Sequence, residues 1–251
     1  MTVLSMGWLI TTPSAAGATA AQFTVPVGAF NQETQTPPEP WQVVSFDADI
    51  PETRYRIIRW DKVMAIEATA EASMALLARP LDMDLVNTPV LCWRWRVDAP
   101  LKSADMAHKF GDDYAARVYV AFDLPEREMD WTTRLKLRLA RQLFGDHVPD
   151  AALNYVWDNR YPIGTERANA YTERTQMLIL QSGADKAGQW MVERRNVLAD
   201  AEQAFGKRDF KAKLLAVASD TDNTGEKAHA GFADLYFVGA DAACDFPPVK
   251  D

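Results

Sequence analysis

The stretch Pro89-Val-Leu-Cys-Trp-Arg-Trp-Arg-Val97 constrains the fold more than any other. Read as an extended strand, it places Leu91, Trp93, Trp95 and Val97 on one face and Cys92, Arg94 and Arg96 on the other. One face seeks a core and the opposite face carries charge, so the strand belongs to a sheet packed on a second layer. The same reading recurs along the chain. Residues 41–46, 53–58, 63–69, 81–85, 117–122, 153–157, 176–181, 190–197, 214–219 and 231–238 are rich in β-branched, aromatic and aliphatic residues between turn signals. In 117–122 the alternation sets Arg117, Tyr119 and Ala121 against Val118, Val120 and Phe122. Residues 73–79 fit either a strand or a helical turn.

Helical patterning is rare. Residues 132–144 carry Leu135, Leu139 and Leu143 on one face, flanked by basic residues and closed by Gly145, which predicts a helix. Residues 198–205 predict a short helix ended by Gly206. Strands do not alternate with helices, so a parallel doubly wound sheet is disfavoured. Roughly ten strands separated by turns argue for an all-β fold, an antiparallel two-sheet sandwich of jelly-roll type with one helical insertion.

The length of 251 residues accommodates such a sandwich as one domain. The reading is a single domain over 41–251, with the helical insertion at about 126–170. Residues 22–40, rich in Pro, Thr and Gln, form a loosely ordered lead-in. Residues 1–21 read as a targeting segment: a short apolar run, then small residues ending in Ala18-Thr-Ala20, without a positive start. The apolar run is too short to span a bilayer, so no transmembrane segment is expected. These features predict an exported protein, periplasmic or secreted.

A net charge of −8 repels phosphate backbones and argues against nucleic acid as a partner. The two cysteines, Cys92 and Cys244, either pair in an oxidising compartment or remain two buried thiols; the sequence leaves both open. Without a Cys/His cluster, zinc is not expected, and His108, His147 and His229 share no metal-like spacing. No nucleophile-elbow, phosphate-loop or dinucleotide motif is present.

Two acidic stretches stand out. In Lys109-Phe-Gly-Asp-Asp-Tyr-Ala-Ala-Arg-Val-Tyr119, two carboxylates precede a strand. Regular alternation would point Asp113 toward the face of Arg117 and Asp112 away from it, which makes Asp112 a turn residue. Lys109 and Arg117 beside these acids suggest an ion-pair network or a carboxylate clamp. The second stretch, Asp220-Thr-Asp-Asn-Thr-Gly225, gathers the oxygens of Asp220, Asp222 and Asn223 in one loop. That density suits calcium, although an Asx-type turn satisfying its own backbone is the simpler explanation, since such loops are common without metal. Glu193 and Arg195 share a strand face, and Glu193 with Asp113 or Asp222 would supply a carboxylate pair of the kind glycoside chemistry uses. Trp157, Tyr155, Trp131 and Tyr171 are aromatic candidates for a sugar platform or for core packing.

The motifs Trp93-Arg-Trp95, 109–119, Glu193-Arg-Arg-Asn-Val197 and 220–225 resemble the bacterial Domain of Unknown Function family 3047 over about 41–237. That resemblance implies an exported bacterial context and no particular activity. More remotely, the strand at 41–46, Leu81-Asp-Met-Asp-Leu85, the Trp-Arg-Trp-Arg strand and Phe232-Ala-Asp-Leu-Tyr-Phe237 are similar to galactose-binding-like jelly rolls, many of them carbohydrate-binding modules. Those modules often hold a structural calcium through an acidic residue on the closing strand, which places Asp234 with Asp220 and Asp222 as expected metal ligands. No cofactor is required on this reading.

The expected function is a non-catalytic binding module for a carbohydrate or another cell-envelope component. The candidate ligand-binding residues are Asp113, Arg117, Glu193, Arg195, Asp222, Asn223 and Trp157. A carbohydrate-active hydrolase or lyase is the alternative, and a structural partner in an envelope complex is the third. The oligomeric state is not legible in the sequence.

Overall fold

A computed structural model of the chain describes residues 24–123, 150–207 and 209–248. The targeting segment, the expected helix at 132–144, Trp131 and His147 lie outside the described residues. Within them the chain forms β1 (Thr24–Gly28), β2 (Gln42–Val44), β3 (Arg54–Trp60), β4 (Val63–Glu71), β5 (Leu76–Asp84), β6 (Val90–Val97), β7 (Arg117–Asp123), β8 (Ala151–Asp158), β9 (Glu166–Ala168), β10 (Thr175–Ser182), β11 (Met191–Asn196), a helix (Val197–Phe205), β12 (Lys211–Ala218) and β13 (Lys227–Val238). No described helix is long and apolar enough to cross a membrane.

These strands make two sheets, as the alternation predicts. One runs β11-β6-β13-β4-β3, with β1 also paired to β13; the other runs β2-β5-β12-β7-β8-β10-β9. The fold is a mostly-β sandwich of jelly-roll type. Its pairings are antiparallel except for β8 with β10, which run parallel, with β9 antiparallel to β10. Two strands escaped sequence reading. β9 is three residues long, and β1 lies in the lead-in, where it pairs with the second half of β13. Residues on either side of Arg79, read as separate pieces, form the one strand β5. Pro80 is tolerated there because it sits beside a register shift in the ladder with β12.

The core lies between the sheets, and β6 delivers its centre. Trp93 and Trp95 are fully buried and meet Tyr155 and Trp157 of β8 at ring-centroid distances of 5.4 and 5.9 Å. The outward residues of β6 are neutralised locally. Arg94 pairs with Asp234, and Arg96 pairs with Asp61 while lying 4.2 Å over the Trp60 ring. Cys92 forms a disulfide with Cys244, which pins the C-terminal segment against β6 beside Val90, Val238 and Ala242. The helix begins where Asn196 Oδ1 accepts the Ala199 N–H at 3.0 Å.

Candidate functional site

The two acidic stretches meet at one end of the second sheet. β7 and β12 are neighbours, with Arg117 opposite Ala218, so the segments just before β7 and just after β12 leave the sheet side by side. The ladder continues irregularly beyond the strands. Asp220 donates its N–H to the Tyr114 carbonyl at 3.1 Å, and Tyr114 returns its N–H to Asp220 Oδ1 at 3.2 Å. Gly225, with φ +68°, closes the loop by donating to the Thr221 carbonyl at 2.9 Å.

Arg117 is the hub. It is buried, and its Nη1 lies 3.0 Å from Asp220 Oδ2 and 2.7 Å from the Tyr119 hydroxyl. Its Nη2 donates to Asp112 Oδ1 at 2.5 Å and to the Asp112 carbonyl at 2.9 Å. Burial opposes the guanidinium charge, but Asp112 and Asp220 outweigh it and hold the Arg117 pKa above its ordinary range. Asp112, not Asp113, is therefore the partner of Arg117, which corrects the alternation argument. The strand starts only at Arg117; Lys109–Gly111 forms a 3-10 turn before it, so strand alternation does not reach residues 112 and 113. Lys109 stays out of the ion-pair network, with its amine 5.1 Å from the Tyr171 ring centroid.

Asp113 faces the other loop. Its Oδ2 accepts the Thr224 N–H at 2.6 Å, while no N–H donor meets its Oδ1 although Asp113 is fully buried; the Asp222 carboxyl lies within hydrogen-bond reach of Asp113. Carboxylate oxygens of Asp113, Asp220 and Asp222 lie within 4.8 Å of one another. Burial pushes the Asp220 carboxyl well above the usual range, Arg117 pulling against it and Asp113 and Asp112 adding to it. Burial raises Asp222 as well, with the Asp113 charge as the next cause.

The rim is contributed by a third segment, between β9 and β10. Asn169 Nδ2 donates to Asp112 Oδ2 at 2.7 Å. The Tyr171 hydroxyl donates to the Lys109 carbonyl at 3.2 Å and lies 3.4 Å from Asn223 Oδ1. Tyr171 is 56% exposed; Phe110, in the turn before β7, is exposed and stacks on His108. Asn169 carried no sequence signal, because its partner Asp112 is 57 residues away.

The other expected site residues lie elsewhere. Glu193 points into the edge of the sandwich and accepts from Trp95 Nε1 at 3.0 Å and Gln181 Nε2 at 2.7 Å; it makes no contact with Asp113 or Asp222. Burial raises its carboxyl, Gln181 and Trp95 pulling the other way. Arg195 pairs with Asp200 of the helix at 2.6 Å, and Asp200 also accepts the Tyr155 hydroxyl. Trp157 is buried on the inward face of β8, so it serves the core and presents no platform to a ligand. Asp234, at φ +50° beside a register shift in β13, pairs with Arg94 on the first sheet and does not join Asp220 and Asp222.

The family described as "Protein of unknown function (DUF3047)" matches residues 39–236. The chain belongs to this family. No curated protein matches the sequence. Solved structures similar to this DUF3047 chain include a family 12 xyloglucanase from Bacillus licheniformis in complex with ligand, at 10% identity, covering 87% of this chain and 100% of that chain with a TM-score of 0.44. Endoglucanase from Rhodothermus marinus is 11% identical, covering 79% of this chain and 96% of that one with a TM-score of 0.41. Endoglucanase 3 from Trichoderma harzianum is 7% identical, with coverages of 88% and 99% and a TM-score of 0.42.

Proposed function

We propose that this DUF3047 protein is an exported binding module that holds a carbohydrate, or another polyhydroxylated cell-envelope component, at the end of the sandwich where residues 109–117 and 220–225 meet. One observation carries the reading: a buried cluster of carboxylates around Arg117 lies where the exposed Tyr171 ring bridges the two acidic segments, its hydroxyl at Lys109 and Asn223. Carboxylate, amide and hydroxyl groups fix the orientation of hydroxyls, and aromatic faces cover the apolar side of a sugar ring. Export is supported by the Cys92–Cys244 disulfide, which suits an oxidising compartment. The test is a glycan and envelope-polymer array probed with the wild-type chain and with Tyr171→Ala. A signal that falls in Tyr171→Ala while its circular dichroism is unchanged supports the reading. No signal from the wild-type chain on any glycan or polymer refutes it.

A second reading, a carbohydrate-active enzyme, is favoured by the Asp113–Asp222 pair, since adjacent carboxylates with unequal environments suit general acid–base work. It predicts that a bound glycan is cleaved over time. Intact glycan recovered after prolonged incubation leaves the module as the function.

A further inference from the structure

We propose that Asp113, Asp220 and Asp222 form a divalent-cation site that takes calcium. The proposal deepens the binding site described above and rests on that reading only for what the cation would do there, not for its binding.

Charge is the first ground. Asp112, Asp113, Asp220 and Asp222 crowd one end of the sheet, and among the described residues Arg117 is the cation paired with them. The hydrogen bonds of Arg117 go to Asp112, Asp220 and Tyr119, and none goes to Asp113 or Asp222. The acids on the Asp113 side therefore lie close together with no cation hydrogen-bonded to Asp113 or Asp222 among the described residues, an arrangement that is costly whenever they are ionised.

An independent ground is the unpaired oxygen. Asp113 is fully buried, no N–H donor meets its Oδ1, and its carboxylate lies within hydrogen-bond reach of the Asp222 carboxyl, itself an acid. Native folds rarely leave such an atom unmet unless an ion or water meets it. Asp113 is also one of the three residues whose oxygens converge within 4.8 Å. Two oxygens bound to one calcium at about 2.4 Å can be no more than about 4.8 Å apart, so the three carboxylates are spaced to share an ion. Asp220 already accepts from Tyr114 and pairs with Arg117, but each carboxylate oxygen has two lone pairs and retains capacity for a metal.

The donor set selects the ion. All three ligands are hard oxygens, and no histidine or cysteine belongs to the group, which disfavours zinc and copper. The ligands come from two separate irregular segments, a geometry calcium accepts more readily than the strict octahedron of magnesium. Three carboxylates leave coordination positions over. Asp222 is only partly buried, so those positions lie toward solvent and the Tyr171 rim, where water or two hydroxyls of a polyol would complete the shell.

The experiment uses the full chain stripped with chelator, titrated with calcium chloride and separately with magnesium chloride by calorimetry, with no glycan present. Bound stoichiometry is read by native mass spectrometry. The expected result is one calcium per chain, bound more tightly than magnesium. Asp222→Asn keeps the side-chain shape and weakens binding roughly tenfold or more, in keeping with the cost of disturbing a metal site. Asp82→Asn, a control at an exposed acid beside Lys211 and Lys213, leaves it unchanged. No calcium bound by the wild-type chain at about 10 mM, beyond the range of weak extracellular sites, overturns the proposal whatever the variants do. Equal calcium affinity in a folded Asp222→Asn also overturns it. Because no glycan enters the titration, its failure leaves the array result standing, and a silent array leaves the calcium result standing.

Discussion

Replacing Arg117 by methionine tests whether the hub described here holds the two acidic segments together. The substitution keeps most of the side-chain volume and removes the guanidinium that reaches Asp112, Asp220 and Tyr119. Asp220 and Asp112 are then buried carboxylates without a countercharge, and Asp220 is already disfavoured as an anion by burial. Breaking a buried ion pair by removing one partner typically costs about 3–5 kcal/mol. For a chain of this size, each kcal/mol lowers the thermal midpoint by roughly 2–4 °C, so a fall of about 6–20 °C is expected. Urea unfolding followed by tryptophan fluorescence measures the loss directly as a shift in midpoint at constant slope. The double variant Arg117→Met/Asp220→Asn should recover part of it, since the amide needs no countercharge; coupling between contacting residues is about 0.5–3 kcal/mol. A loss below about 1 kcal/mol, the range of an exposed ion pair, or a double variant less stable than the sum of its singles, would refute the reasoning.

Two further outcomes follow from the fold. The Glu193 carboxyl is raised by burial, so the folded state favours its protonated form. Its stabilising contribution is present below the ordinary carboxyl value of about 4.3 and is lost as pH rises through the higher folded value. Glu193→Gln should therefore match the wild type near the acid end and be at least as stable at neutral pH, with a flatter profile of unfolding free energy against pH; parallel profiles would show that burial does not govern this group. The Cys92–Cys244 disulfide closes a loop of 152 residues, and its removal should cost roughly 2–5 kcal/mol in urea unfolding with and without reductant. Coincident curves, with reduction verified by thiol titration, would mean that the C-terminal segment docks on β6 without it.

Much of the fold was legible because side-chain alternation is a local property of an extended backbone. The faces of β6 and β7 emerge from the residue order alone, and Trp93, Trp95, Val118 and Val120 all lie in the core as that order requires. The helix was legible for a similar reason, its signals lying within a few residues of one another. Short strands were not. β9 holds no pattern long enough to read, and β1 is a strand because β13 is long enough to pair with β4 along one half and with β1 along the other. The acidic stretches were legible as candidates, but their pairing was misread, since alternation was extended into residues 112–116, where the chain has not yet joined the sheet.

The sequence by itself determined the two faces of β6 and of β7, that two layers must enclose the apolar ones, and that Asp113, Arg117, Glu193, Arg195, Asp220, Asp222 and Asn223 are polar groups in need of explanation. Only the tertiary structure decided who meets whom. Asp113 finds the Thr224 amide 111 residues away, and Trp157 turns from a candidate platform into the centre of the core. The physical reason is that residue order sets the direction of a side chain through local backbone geometry. The neighbour it meets depends on which strands pair, and that is settled by burying both sheets at once.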